Sequence, residues 1–459
     1  MSLPEHHVRR PWTPAVVGLA VAVLLMAAAV LIPRLTGWRV HVIAFPPLHA
    51  HWDPRVGPGT LPAVALAVLG VVFAHRVAAR ARWAVLVPGA YAVTVAWFAA
   101  LALVDGSHGI GHVLDTPYEY MDTARAVAGH PFAQTLHGFI PRIVGGPGKW
   151  PVHIAGHPPG ALLFYVVLVR LGFTTGLAAG WMTLLVAATT PVAVLLTLRT
   201  LGADSAARRA APFLVLGPAA VWSAVSADAV FAACGAWAAC LLARSATSRR
   251  GGAAAAWGVA AGLLFGYSVM LSYGLPLLGV LAVGVLVAAR SWRPLVWGLL
   301  GAVAVVGAFA LWGFAWWEAY PVLRERYYNG VAHKRPFGYW VWGDLAAFAF
   351  SAGPVIGPAV AQTLVRARAV LRGHGWIGVY RRLPRAAVVP VVLALAGAAM
   401  VFLADVSGMS KAEVERIWLP FAPWVLVGTA MLSPRWRWAG LVVQVLTALL
   451  VQHTLDTGW

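Results

Sequence analysis

His153-Ile154-Ala155-Gly156-His157-Pro158-Pro159-Gly160 closes a polar, Gly- and Pro-punctuated stretch that begins at Asp105, and Ala161-Leu162-Leu163-Phe164-Tyr165-Val166-Val167-Leu168-Val169 follows it as unbroken hydrocarbon. That contrast decides the fold. A connecting segment this long without helical or strand periodicity is either functional or disordered. Tyr118, Tyr120, Phe132, Phe139 and Trp150 within it argue for order. The 105–160 segment therefore reads as an active-site loop between membrane spans.

Outside that loop the chain is mostly apolar. Of 459 residues, 61% are hydrophobic and only 11% charged, with a mean hydropathy of +0.77. Such a composition excludes a soluble enzyme and defines a polytopic membrane protein. The first apolar run, Pro14 to Ile32, is close to the ~20 residues a bilayer requires and has no small-residue cleavage site after it, so it is expected to stay as a span. Cys234 and Cys240 share one apolar run and form neither a disulfide framework nor a zinc motif.

The formal charge of +19 does not mark a nucleic-acid partner, because the basic residues come in short clusters at the ends of apolar runs rather than on one soluble face. It is an orientation signal. Arg9 and Arg10 ahead of the first run put the N-terminus in the cytoplasm. Spans follow at Thr60–Ala74 and Ala84–Val104, after which the 105–160 loop lies outside. The run Ala161–Phe173 is short and carries Arg170, so it is expected along the interface, with Gly176–Thr197 crossing inward. The remaining expected spans are Ala211–Ala224, Ala229–Ala243, Ala253–Met270, Leu275–Ala289, Pro294–Phe314, Val341–Ala361, Ala386–Ala404, Leu419–Ser433 and Trp438–Gln452. The expectation is an all-α membrane protein of about 13 transmembrane helices, one domain over residues 1–459, with interfacial helices in its first large external loop. In this topology 21 basic and 2 acidic residues lie inside and 13 of each outside, which places the whole net charge on one side.

Acids are costly in a membrane protein except where they meet water or partners. Here Asp105, Asp115, Glu119, Asp122, Asp228, Glu318, Glu325, Asp344, Asp405, Glu413 and Glu415 all map to the outer face. Lys149, Arg324, Arg326, Lys334, Arg335, Lys411 and Arg416 join them. A mixed acidic and basic cavity suits a substrate with a phosphate to grip and a hydroxyl to deprotonate.

Four landmarks resemble a family, the polyprenol-phosphate-sugar-dependent glycosyltransferases of the GT-C fold, which include protein O-mannosyltransferases and aminoarabinose transferases. Asp115 with Tyr118, Tyr120 and Ala124-Arg125-Ala126 is similar to the family's first-loop acid and its interfacial helix. His157-Pro158-Pro159-Gly160 resembles its His-Pro-Pro turn, Asp228 an acid at the outer end of a helix, and Arg416-Ile417-Trp418-Leu419-Pro420-Phe421-Ala422-Pro423 its late Arg-aromatic-Pro-Pro segment. Two departures stand out. Thr116 replaces the family's frequent second carboxylate, so a carboxylate pair would need Glu119 or Asp122, and Gly160 replaces a larger apolar residue.

The resemblance implies inverting transfer of a sugar from a polyprenyl-phosphate-linked donor to a hydroxyl of a glycan, lipid or protein acceptor on the extracytoplasmic face of the cell membrane. Asp115 is the expected catalytic base. Arg416 is the first choice for the leaving phosphate because its guanidinium fits that geometry, with Lys149, Lys334 and Arg335 behind it. Glu119, Asp122, Tyr118, His157 and Asp228 complete the expected substrate site.

Structural readings stand beside these. Asp115 also suits the cap of a helix running through Tyr118 to Ala128, Asp228 reads first as a helix-start acid, and Arg416 can pair with Glu413 or Glu415. His108/His112 and His153/His157 are four apart, a spacing that can present two metal ligands, but neither pair is a metal signature and no cofactor is expected. The second external loop, 316–343, is rich in Trp and Tyr and reads mainly as an aromatic belt at the interface, while the interleaved Arg324, Arg326, Asn329, His333, Lys334 and Arg335 suit a sugar- or phosphate-contacting role for the remainder. No nucleotide-binding glycine loop is present. A transporter or flippase of lipid-linked glycan, which would place charges at mid-membrane and show two related halves, is the competing function. A non-catalytic subunit of envelope assembly is a third.

Overall fold

The computed structural model describes residues 13–145 and 148–458, apart from the side chains of 373–382. Glu5, Arg9 and Arg10 lie outside the described residues, and so do the side chains of Arg381 and Arg382. The chain is almost entirely helical. Among the described residues the one sheet is a two-residue antiparallel pairing of His51–Trp52 with Leu455–Asp456, which ties the last helix to the loop after the first.

Eight helices among the described residues are long and apolar enough to cross a membrane: Thr13–Thr36, Thr60–Arg80, Trp83–Asp105, Gly176–Thr200, Ala227–Thr247, Gly251–Leu271, Pro294–Leu311 and Arg385–Val406. The protein is a multi-pass all-α membrane protein. The other five expected spans take different forms. Val341–Ala361 is two helices, Phe337–Ser351 and Ile356–Arg382, bent by 105° where Gly353 and Pro354 interrupt the ladder. Ala211–Ala224 is broken at Gly217-Pro218 between Asp204–Val215 and Ala220–Ser223. Leu275–Ala289 and Ala422–Met431 are short apolar helices, and Pro434–Thr454 is long but carries Arg435, Arg437, Gln444 and Gln452.

Ala227–Thr247 is the most buried of these eight helices, and its sequence explains why. Ala229, Ala232, Ala233, Ala236, Ala239 and Ala243 present almost no side-chain bulk, so neighbours approach on every face. Gly251–Leu271 packs on it and is in turn clasped by Pro294–Leu311. At that second contact Gly262 meets Gly298 and Gly301 meets Val259, so closely that a Cβ on either glycine would run into the facing backbone carbonyl.

The loops gather into two sets at opposite ends of the bundle. At one end Trp83 donates to Asp204, Arg208 to the carbonyls of Ala78 and Ala81, and Arg385 to the carbonyl of Ala289. The other end joins the 37–59, 105–160, 316–343 and 407–418 segments through Arg55–Asp105, Arg326 with the carbonyls of Ile143 and Trp150, and the site described below. Helix Pro159–Arg170 starts and finishes in this second layer. It follows His157, and its final Arg170 donates to the carbonyls of Ala128 (2.9 Å) and His130 (2.5 Å). This run therefore does not carry the chain to the opposite end, as its length and Arg170 lead one to expect.

Candidate functional site

Arg416 is the hub of the polar layer. It is 5% exposed and lies within the short helix Val414–Ile417, which follows the 407–413 loop. Its Nη1 donates to Asp228 Oδ2 at 2.7 Å, and its Nη2 to Glu413 Oε2 at 2.8 Å and to His153 Nε2 at 3.3 Å. Asp228 lies in the first turn of Ala227–Thr247, where the helix dipole also favours a negative charge. The carboxylate thus serves Arg416 rather than a backbone cap.

His153 connects the hub to the first loop. A guanidinium only donates, so Nε2 accepts, and the ring proton sits on Nδ1. Nδ1 in turn donates to Glu119 Oε1 at 2.5 Å. Glu119 is 4% exposed, so this is a buried carboxylate–imidazole–guanidinium chain. His157 lies one helical turn on, its Nδ1 2.7 Å from the carbonyl of His153 and 3.0 Å from the hydroxyl of Tyr120. Burial lowers the pKa of His157 and, with the Glu119 and Asp228 charges, raises that of Tyr120; both groups stay neutral.

Glu413 is presented by a strained turn. Ala412 and Glu413 both have left-handed backbone, φ 68° and 62°, which non-glycine residues adopt at a cost. Side chains hold it in place: Asp344 accepts from the Ala412 amide at 2.9 Å, the Tyr327 hydroxyl accepts from the Lys411 amide at 3.0 Å, and Arg335 binds the Lys411 carbonyl. Burial pushes the Glu413 carboxyl up, but Arg416, His153 and Arg335 outweigh it and hold the group at about 2. Burial works against the Arg416 charge too, and Asp228, Glu413 and Glu119 again win, raising its pKa. Next to them Glu415, against the His49 amide at 3.2 Å, is pushed up to about 7 by burial.

These groups border a cavity of about 560 Å³. His153, His157, Arg335, Lys411, Glu413 and Arg416 form its polar wall. The rest of its lining is largely apolar and aromatic, with Leu275, Leu277 and Leu403 and Tyr273, Trp316 and Tyr320. Such a cavity can take an amphipathic ligand, its anion on the guanidiniums and its hydrocarbon among the leucines.

The expected site residues fall into two groups. Arg416, Arg335 and His157 line the cavity, and Glu119 and Asp228 contact its lining directly. Asp115 does not. It is 37% exposed at its side chain and accepts from the Gly176 amide at 2.9 Å and from Arg125 at 2.9 Å, and Asp122 shares the same Arg125. It therefore holds a helix start, that of Gly176–Ala187 rather than the one through Tyr118. Tyr118, Lys149 and Lys334 are exposed and outside the cavity lining. His108 and His112 stack on each other at 4.1 Å. Among the described residues no group of three or more His, Cys, Asp or Glu side chains is placed to hold a metal ion.

Sequence reasoning singled out His153 only as half of a metal-ligand pair and passed over His49 and Tyr273. The signal for His153 was its neighbour His157, whose turn was recognised; nothing local marked the other two. In comparisons with protein-family models and with curated protein sequences, the chain matches none.

Proposed function

We propose that the protein is a membrane glycosyltransferase that moves a sugar from a polyprenyl-phosphate donor to an acceptor hydroxyl on the extracytoplasmic face, with inversion at the sugar carbon. The observation that carries this reading is a cavity at one end of the bundle whose lining combines a buried, doubly paired arginine with many apolar side chains. In this account Arg416 and Arg335 hold the donor phosphate and stabilise the charge that grows on it as the glycosidic bond breaks. His153 takes the acceptor proton at Nε2, and Glu119 fixes its tautomer and steadies the imidazolium that forms. Donor entry would displace the Arg416–His153 contact and free Nε2. Asp115 positions the first loop from outside the cavity.

The basic end of the bundle, with Arg76, Arg80, Arg208 and Arg209, faces the cytoplasm in this reading, by the positive-inside rule. The test is incubation of purified protein in lipid with a panel of polyprenyl-phosphate sugars and an acceptor panel. Consumption of one donor with release of polyprenyl phosphate supports the assignment. Movement of intact donor across the bilayer without consumption identifies a flippase instead.

A further inference from the structure

At the basic end of the bundle three helices that pack on one another, Thr60–Arg80, Asp204–Val215 and Pro434–Thr454, border a second cleft of about 320 Å³. Its lining carries Arg76, Arg208, Arg209 and Arg437, and no acidic side chain among the described residues. Four guanidiniums around one cleft repel each other unless something offsets them. Arg208 is already used by the protein: its Nε donates to Asp204 Oδ2 at 2.8 Å and its Nη1 to the carbonyls of Ala78 and Ala81. Arg437 gives Nη1 to the Leu432 carbonyl, and its own carbonyl accepts from His75 Nε2 at 3.2 Å, which ties the first helix to the third. Among the described residues Arg76, Arg209 and Arg437 meet no carboxylate, and the side chains of Arg76 and Arg209 make no hydrogen bond and are exposed, so a ligand can reach them. The rest of the lining is mainly apolar, with Val71, Val72, Pro434 and Trp438. Val72 and Trp438 are themselves exposed, and Val72 lies about one helical turn before Arg76 on the same apolar span.

We infer that this cleft binds the phosphodiester headgroup of an anionic phospholipid, with the phosphate on Arg76, Arg209 and Arg437 and the first carbons of the lipid against Val72 and Trp438. A phosphodiester supplies the negative charge that the lining lacks and accepts from several guanidiniums at once. The positive end of the helix that starts at Pro434 adds to the attraction. Orienting the chain needs only that arginines lie near the ends of spans, and Arg80 and Arg82 meet that need without lining the cleft. Convergence of arginines from three separate helices on one pocket beside exposed apolar side chains goes further, and it is the arrangement that recognises an anionic headgroup. A zwitterionic headgroup would bring a second cation into a lining with no acid to receive it. Free phosphate would suit the arginines but leave the apolar lining unused. The cleft lies at the end away from the Arg416 cavity, and its ligand does not depend on what that cavity transfers.

The test is native mass spectrometry of the full chain in a neutral detergent, titrated with phosphatidylglycerol, with phosphatidylcholine of the same acyl chains, and with inorganic phosphate. We expect phosphatidylglycerol to bind about fivefold or more tighter than phosphatidylcholine, and inorganic phosphate at equal concentration to leave it in place. Arg76→Gln and Arg209→Gln should each weaken phosphatidylglycerol about fivefold, the effect of one cation at a headgroup. Arg80→Gln, on the same rim but outside the lining, should leave it unchanged. All three variants should melt like wild type in neutral detergent, so that a loss of lipid is not a loss of fold. Equal binding of the two lipids, or an equal loss in Arg80→Gln, would overturn the site in favour of diffuse charge on the rim. Displacement by equimolar inorganic phosphate would overturn the lipid assignment and leave a site for the free anion.

Discussion

A buried guanidinium between two carboxylates is stable only as a set. Removing Arg416 leaves Asp228, 2% exposed, with an uncompensated charge, which typically costs about 3–5 kcal/mol. Arg416→Ala should therefore lower both the folded yield and the melting temperature. Arg416→Lys keeps the charge but loses the fork that reaches Asp228, Glu413 and His153 together, so its larger defect should be in donor use. An Arg416→Ala protein that melts like wild type would show that the hub does not hold the layer together. Glu415 makes a separate prediction. Its carboxyl is raised by burial from 4.5 to about 7, against the His49 amide, with the charges of Glu413 and Arg416 facing it. A raised acid favours the folded state while protonated, so its contribution is present below about pH 4.5 and is lost as pH rises through 7. His49 and His157, both lowered, run the opposite way near pH 6.5, so the readout is the difference between variants. Between pH 5 and 8 Glu415→Gln should gain in melting temperature relative to wild type; a constant offset across that range would contradict the assignment. Part of this buried cluster was legible in the chain: His157, Asp228 and Arg416 were singled out there, and the missing second acid beside Asp115 directed attention to Glu119 or Asp122. What was not legible is which of the two loop acids reaches the cavity's lining. Asp115 and Glu119 are four residues apart, and only the folded loop turns one toward Gly176 and the other toward His153.

At the scale of elements, helix contact rests on close backbone approach. A Leu at Gly262 would have to displace the Gly298 carbonyl, whereas Gly307, on the same partner helix, has open space where its side chain would begin. Gly262→Leu should destabilise the protein by about 2 kcal/mol or more, seen as a lower melting temperature in detergent, while Gly307→Leu leaves it unchanged. Equal effects would mean that the pairing of Gly251–Leu271 with Pro294–Leu311 is not set by these glycines. Long apolar helices such as Thr13–Thr36 and Arg385–Val406 were readable because hydrophobic length alone defines them. The bent and broken elements were not. Gly353-Pro354 and Gly217-Pro218 sit inside apolar runs whose averaged hydropathy hides the break, although each Gly-Pro pair is itself a breaker signal.

For the whole molecule, one end is a basic rim and the other an interlocked polar layer in which four separate loops meet around Arg416. Loops that contribute to a site on a rigid bundle are where function concentrates, and the strained Ala412-Glu413 turn lies in that layer. The central claim is that the chemistry belongs to the cavity, with His153 and Glu119, and not to the Asp115 cluster beside it. Single-turnover release of polyprenyl phosphate from a consumed donor, compared across Glu119→Gln, His153→Ala and Asp115→Asn in lipid, tests this most directly. The account predicts losses of about 10²-fold or more for the first two, as for removal of a general base, and a rate within a few-fold of wild type for Asp115→Asn. The reverse pattern, with Asp115→Asn inactive and Glu119→Gln turning over normally, would contradict it.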